Sequence, residues 1–544
     1  MRFLFASLVL LFLPASASSA EITSLPDFEG TLPFKMYSGY ITVDETTSRK
    51  LFYWYTESEN DPSSDPLVLW FTGGPGCSGL SALLNENGPV VPTAESLKTN
   101  PYSWNKIANV LWLEQPAGVG FSYTPGAESY DSSDTKAAAD NLVFLKKFVT
   151  EEFPALQGRD IWLTGESYAG MYVPTLARNI LKDSVLSPSL KGLMMGNPVV
   201  LCKSAGLFGT GSIPYQFNRY FYSGLLSFSA VAEWRSHHCD HLAKLAEEGD
   251  AGPCMKIYND ATKSIGAIYQ QLKTKRGRAP LQFPFSEKEL MFRSSESKLQ
   301  SDLDPDNLYQ DFCIGNGTLD TTLGGKPDSC KPLGSLCDSY LNRKEVQNAL
   351  HVGREDKVDW SVCNQETLNY VGDLQDDGLI PVLKEIFDLS SSLSVLYYSG
   401  DVDVATVATQ ITQACLHELK PEVELKDGWR PWTIGGWHAG YVEDFDKYTF
   451  ATVKGAGHEA PTFQPHISFE MFTRFLKSQS LEDDSSGSET AGVVFERRAP
   501  ALPRQSDVLN AAKQEAILQA LAKAARSGDE MGVKGHREPI LLAE

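Results

Sequence analysis

The sequence predicts an α/β fold in which a central, mostly parallel sheet carries an inserted, mainly helical subdomain. Three observations predict it. Short apolar runs bounded by Gly/Pro-rich turns recur towards both ends of the chain. A helical pattern over residues 133–153 precedes DIWLTGESYAG, which reads as strand, sharp turn and second helix, so a βαβ unit brackets Ser167. Between these regions, from 200 to about 340, the strand rhythm fades into helical and irregular segments.

Taken in order, the chain opens on Met1 and Arg2, an apolar run FLFASLVLLFLP and small residues before Glu21. This is the pattern of a signal peptide over 1–20. The apolar run is shorter than the roughly 20 residues a spanning helix needs, so the mature chain is expected without a membrane anchor. The expected compartment is the secretory pathway, ending outside the cell or in a lysosome- or vacuole-type lumen. The first part of the core, 21–199, holds the strand-like runs LFYWY, PLVLWF and NVLWLEQP. The insertion spans 200–340 and includes the basic stretch Lys273 to Arg278, read as a solvated loop open to proteases. The second part of the core, 341–480, brings SLSVLYYSGDVD, a helix, YTFATVKGAGHEAP and a closing amphipathic helix. The tail, 481–544, has a Ser/Gly/acidic linker composition followed by one marginal helical pattern.

Composition narrows the function. With 69 acidic against 48 basic residues and a formal charge of −21, the chain is a poor partner for nucleic acid and suits an acidic lumen. Nine cysteines in a secretory chain read as a disulfide framework with an odd thiol. The run His237, His238, Cys239, His241 lacks a second ligand pair at zinc-like spacing, and Cys254 is a natural disulfide partner for Cys239. No metal and no cofactor are therefore expected. Asn316-Gly317-Thr318 is a glycosylation sequon.

A serine hydroxyl becomes a nucleophile only beside a base, and a strand–turn–helix elbow lifts it to where a base can reach. Ser167 stands at such an elbow, with Gly165 two residues before it and Ala169 two after. The acid and the histidine should follow in that order, each beyond a late strand. Asp403 closes LYYSGDVD, just after its apolar run, and His458 follows FATVKGAG. Donors for a developing oxyanion are expected from the glycine-rich turn Trp70 to Cys77.

Together these segments resemble the serine carboxypeptidase family of the α/β-hydrolase fold. LWFTGGPGCSGL, NENGP, NVLWLEQPAGVGFSY, LTGESYAGMYVP, GNP, YLNRKEVQNALHV, YYSGDVD and GAGHEAP occur in family order from about Leu32 to Leu476. The resemblance implies Ser167 as nucleophile, His458 as general base then acid, and Asp403 rather than Asp401 as the residue orienting the histidine. It implies an oxyanion hole of the Gly74 and Tyr168 amides. It also implies a site for the substrate's terminal carboxylate at Gly73, Glu86 and Glu166, with Thr72 where the family carries asparagine. A threonine donates one hydrogen bond but lacks a carboxamide's reach.

The implied activity is release of C-terminal residues from peptides and proteins at acidic pH, through an acyl-enzyme on Ser167. Thr72 is also similar to plant carboxypeptidase-like acyltransferases, which pass an acyl group from an ester donor to an alcohol. A binding or protective protein without turnover is a third class, opposed by the full triad. The resemblance further pairs Cys77 with Cys363, Cys239 with Cys254, and Cys313 with Cys337, with Cys330 an alternative partner for Cys313. It leaves Cys202, Cys330 and Cys415 unmatched. The partners expected are peptide C-termini, with a homodimer left open.

Overall fold

A computed structural model describes residues 19–482 except 94–95, 203–211, 262–332, 354–358, 365, 375–377 and 405. The leader up to residue 18, the basic stretch 273–278, Cys313, Asn316, Cys330 and the tail from 483 lie outside the described residues.

Among the described residues, eleven strands form one sheet. They are β1 (Ala20–Glu21), β2 (Met36–Asp44), β3 (Arg49–Thr56), β4 (Leu67–Phe71), β7 (Asn109–Leu113), β9 (Ile161–Glu166), β10 (Leu190–Gly196), β12 (Ser394–Gly400), β13 (Leu425–Ile434), β14 (Trp437–Phe445) and β15 (Thr449–Val453). Two small ribbons pair β5 (Val90–Pro92) with β6 (Leu97–Thr99), and β8 (Tyr130–Ser133) with β11 (Leu368–Val371). The large sheet runs β1-β2-β3-β7-β4-β9-β10-β12-β15-β14-β13. Its centre, β7 to β15, is parallel, and both flanks are antiparallel.

The central strands are apolar throughout because both faces are covered. Successive side chains point to opposite faces. Leu67, Leu69 and Phe71 of β4 thus enter one core cluster, while Val68 and Trp70 enter the other. Helices α1 (Gly79–Asn85), α2 (Asp134–Lys147) and α3 (Ala169–Leu181) supply much of the cover. Ser133 caps α2 by accepting the Lys136 amide hydrogen on its hydroxyl.

Helices α4 (Ile213–Tyr222), α5 (Phe228–Ser236) and α6 (Leu242–Glu248) lie between β10 and β12, within the expected insertion. They gather Phe217, Trp234 and Leu242 into a third, smaller core that reaches Val404, next to Asp403. The helix Leu333–Leu341, across the expected boundary at 340, instead buries Cys337, Tyr340 and Leu341 in the second main core.

Disulfides join Cys77 to Cys363, Cys239 to Cys254, and Cys202 to Cys415. The third bond corrects the reading of Cys202 and Cys415 as unmatched. The expected partner of Cys337, Cys313, lies outside the described residues; among the described residues Cys337 is a buried thiol with no disulfide partner. Its helix turns it inward on the same face as Leu341, one turn later, where the thiol donates to Asn85 Oδ1 at 3.2 Å. Burial pushes this thiol well above its usual range. The hairpin β13–β14 was not expected either. Its signal was Gly435-Gly436 between two aromatic-rich runs, a two-residue turn with both glycines at positive φ.

Candidate active site

Ser167, Asp403 and His458 follow the C-terminal ends of β9, β12 and β15, three of four consecutive parallel strands. This is the edge at which open α/β sheets carry their sites. Ser167 has φ +60°, the left-handed region that L-residues adopt only under constraint, and α3 begins two residues later. The constraint is visible in the packing. A Cβ on Gly165 would lie 2.3 Å from the Phe71 carbonyl oxygen, and one on Gly170 would lie 2.3 Å from that of Val199. The small residues around the serine thus let β4 and the segment after β10 close on the elbow. The Ser167 amide donates to the Gly196 carbonyl at 3.0 Å, and the Val199 amide donates to the Ser167 carbonyl at 2.8 Å.

The glycine-rich turn lies against the elbow from the other side. A Cβ on Gly73 would come within 2.3 Å of the Tyr168 nitrogen and 2.6 Å of Ser167 Cβ. Gly74 has φ +111°, open only to glycine, and the turn is held by Cys77–Cys363 and by the Gly76 amide donating to Tyr172 Oη at 3.2 Å. Tyr168 is fixed by its own side chain. Its hydroxyl donates to Asp134 Oδ1 at 2.9 Å, an oxygen that also accepts from Tyr370 at 2.9 Å. Burial lifts the Asp134 carboxyl above its usual range, opposed by these two phenols.

His458 Nδ1 lies 2.7 Å from Asp403 Oδ2. Asp403 is fully buried and is solvated by the protein. It accepts from the amides of Thr406 and Val407 and from Asn197 Nδ2 at 2.9 Å. Asp401 is turned away, with Oδ1 accepting the Gly455 amide hydrogen at 2.7 Å. Burial raises the Asp401 carboxyl, while the Gly455 amide and the charge of Arg219 pull it back.

Beside the elbow, Glu86, Glu166 and Glu459 converge, with one carboxyl oxygen from each within 4.8 Å of the others. Glu86 and Glu166 are each 4% exposed. Thr72 is buried in the same turn and accepts a hydrogen bond from Trp70 Nε1 at 3.0 Å, so its hydroxyl proton is directed elsewhere. The acidic trio is a donor set a hard cation would accept, and equally one that protons could neutralise. Behind the turn sits Glu114, fully buried. Its carboxyl takes Ser78 Oγ at 2.5 Å, Trp360 Nε1 at 2.7 Å and the Phe121 amide at 2.6 Å. Burial pushes it up to about 7, against these three donors.

Three of these residues had no role in the sequence reading. Glu459 stands next to His458 in GAGHEAP, Asn197 is the centre of GNP, and Glu114 lies in LWLEQP. Each motif was visible, but the contact that gives its polar residue a purpose was not.

A family model described as serine carboxypeptidase matches residues 26–478. Serine carboxypeptidase-like 36 of Arabidopsis thaliana is 33% identical over 487 residues, 86% of this chain and 88% of that protein. Serine carboxypeptidase 1 of Hordeum vulgare is 31% identical over 495 residues, covering 86% and 94%. Among solved structures, the crystal structure of Kex1(delta)p, a prohormone-processing carboxypeptidase from Saccharomyces cerevisiae, superposes with a TM-score of 0.57 at 20% identity. It covers 82% of this chain and 92% of that one, a likeness of fold. The chain belongs to the serine carboxypeptidase family of α/β-fold enzymes.

Proposed function

We propose that this protein is a serine carboxypeptidase that removes C-terminal residues from peptides and proteins under acidic conditions, with Ser167, His458 and Asp403 as its triad. Ser167 Oγ attacks the carbonyl carbon of the last peptide bond while His458 Nε2 takes the hydroxyl proton, and Asp403 stabilises the imidazolium that forms. The amides of Gly74 and Tyr168 donate to the oxyanion. The intermediate collapses as His458 returns its proton to the leaving amine, leaving an ester on Ser167. Water then attacks that ester by the same route in reverse, which frees the acid and restores the serine.

The observation that carries the substrate class is the meeting of Glu86, Glu166 and Glu459 beside Glu166's neighbour Ser167. Two buried carboxyls and a half-buried one this close cannot all be charged, so they hold protons and can donate to an incoming carboxylate. That arrangement favours a free C-terminus over an amide and acid over neutrality. It suits a peptide substrate in an acidic lumen or outside the cell. In the described residues no helix is long and apolar enough to cross a membrane.

Thr72 supports one second reading, acyl transfer from an ester donor to an alcohol on the same triad. An N-blocked dipeptide with a free carboxylate, its amide-capped twin, and an acyl-glucose ester with an alcohol acceptor separate the two. Hydrolysis of the free-carboxylate peptide alone supports the carboxypeptidase. Inertness towards it at every pH, with transfer from the ester, moves the assignment to acyltransferase.

A further inference from the structure

We infer that Asn197 is a positioning residue that holds the acid loop and the nucleophile elbow in register. The inference rests on the triad proposed above. The segment Gly196–Val199 leaves β10, which lies between the strands carrying Ser167 and Asp403. Its backbone serves the serine, since Gly196 accepts the Ser167 amide hydrogen and Val199 donates back to the Ser167 carbonyl. Its one polar side chain serves the acid. Asn197 Nδ2 donates at 2.9 Å to Asp403 Oδ2, the same oxygen that faces His458 Nδ1. Asn197 Oδ1 accepts from the Gly400 amide at 3.0 Å, at the mouth of the loop that carries Asp403. The Asn197 amide donates to Tyr398, and Pro198 accepts from Thr412 on the helix that Cys415 ties to Cys202.

These contacts require asparagine. The position is fully buried with φ +40°, a region in which asparagine is the best tolerated residue after glycine. One end must accept from an N–H and the other must donate to a carboxylate, so the amide has a single satisfactory orientation. Aspartate is isosteric but, when ionised, cannot donate. Among the described residues, the other ionisable groups around the loop are Asp401, engaged by Gly455, Arg219, which donates to the Asp401 carbonyl, and His438 and Lys454, whose charges act on Asp401.

Asn197→Gly tests the idea, because glycine accepts the backbone conformation and removes only the amide. Expected are a fall in kcat of about ten- to a hundredfold, KM within about twofold, and a matching fall in the rate at which a fluorophosphonate labels Ser167. Asn197→Asp is the second variant. Its carboxyl must share a proton with Asp403, so its activity should be confined to a more acidic range than that of the wild type. Labelling of the wild type and its loss in Ser167→Ala report separately on the triad. A kcat within twofold of wild type in Asn197→Gly, or a wild-type pH profile in Asn197→Asp, would overturn the inference.

Discussion

Asp403 Oδ2 stands 2.7 Å from His458 Nδ1, whereas Asp401, two residues earlier in the same GDVD turn, engages the backbone of Gly455. The two aspartates therefore have separable effects. Asp403→Asn should lower kcat by about 10³–10⁴, the scale of losing the acid that sets the histidine's tautomer. Asp401→Asn keeps the histidine's partner and should cost no more than about tenfold. Ser167→Ala and His458→Ala should nearly abolish turnover without lowering the melting temperature. Steady-state kinetics with thermal denaturation of each variant check the set, and equal losses at 401 and 403 would contradict it.

The cluster of Glu86, Glu166 and Glu459 predicts the shape of the pH profile. On the alkaline side, peptide hydrolysis should fall as the cluster loses its protons. On the acidic side it should fall as the histidine is protonated and ceases to act as base. Glu86→Gln or Glu166→Gln replaces a titrating acid with a permanent donor. Each should move the alkaline limb for free-carboxylate peptides up by about one pH unit, while amide-capped substrates respond little. Profiles of kcat/KM on both substrates decide the matter.

Thr72 receives a hydrogen bond from Trp70 and has a single proton to give. Thr72→Asn extends the donor towards the carboxylate site. In a carboxypeptidase it should lower KM for free-carboxylate peptides by about 1 kcal/mol, roughly fivefold. The same change should leave ester donors unaffected. An unchanged KM for the peptide would remove Thr72 from substrate recognition.

Glu114 predicts a loss of stability on the alkaline side. Its folded carboxyl titrates at about 7, above the unfolded value of 4.5, so the native state binds the extra proton. The stability it contributes is full below pH 4.5 and is lost as pH rises from there through about 7. The scale is about 3 kcal/mol for a fully buried group. Because Ser78 and Trp360 both lean on this carboxyl, the glycine-rich turn should loosen first. Denaturant unfolding at pH 4, 6 and 8 should show the decline, and Glu114→Gln should flatten it. A variant with the wild-type slope would assign the decline to other groups.

Much of the fold was legible because strands and elbows are local statements. The strand character of the apolar run Leu67 to Phe71 follows from neighbouring residues alone, and so does the need for small residues two before and two after Ser167. The order of Ser167, Asp403 and His458, each just beyond a strand, was likewise written in the chain. The edge hairpin β13–β14 was missed because its strands are half-exposed and irregular in register, which blurs the period-two signal.

What only the tertiary structure decided are the contacts between distant segments. Asn197 meets Asp403 across 206 residues, Glu459 meets Glu86 from the other end of the chain, Cys202 finds Cys415 across 213 residues, and Cys337 turns into the core as a thiol. Backbone conformation and burial period are set by a residue's neighbours in sequence. The partner of a buried amide, carboxyl or thiol is set by which elements pack together, and that follows from the order of strands in the finished sheet.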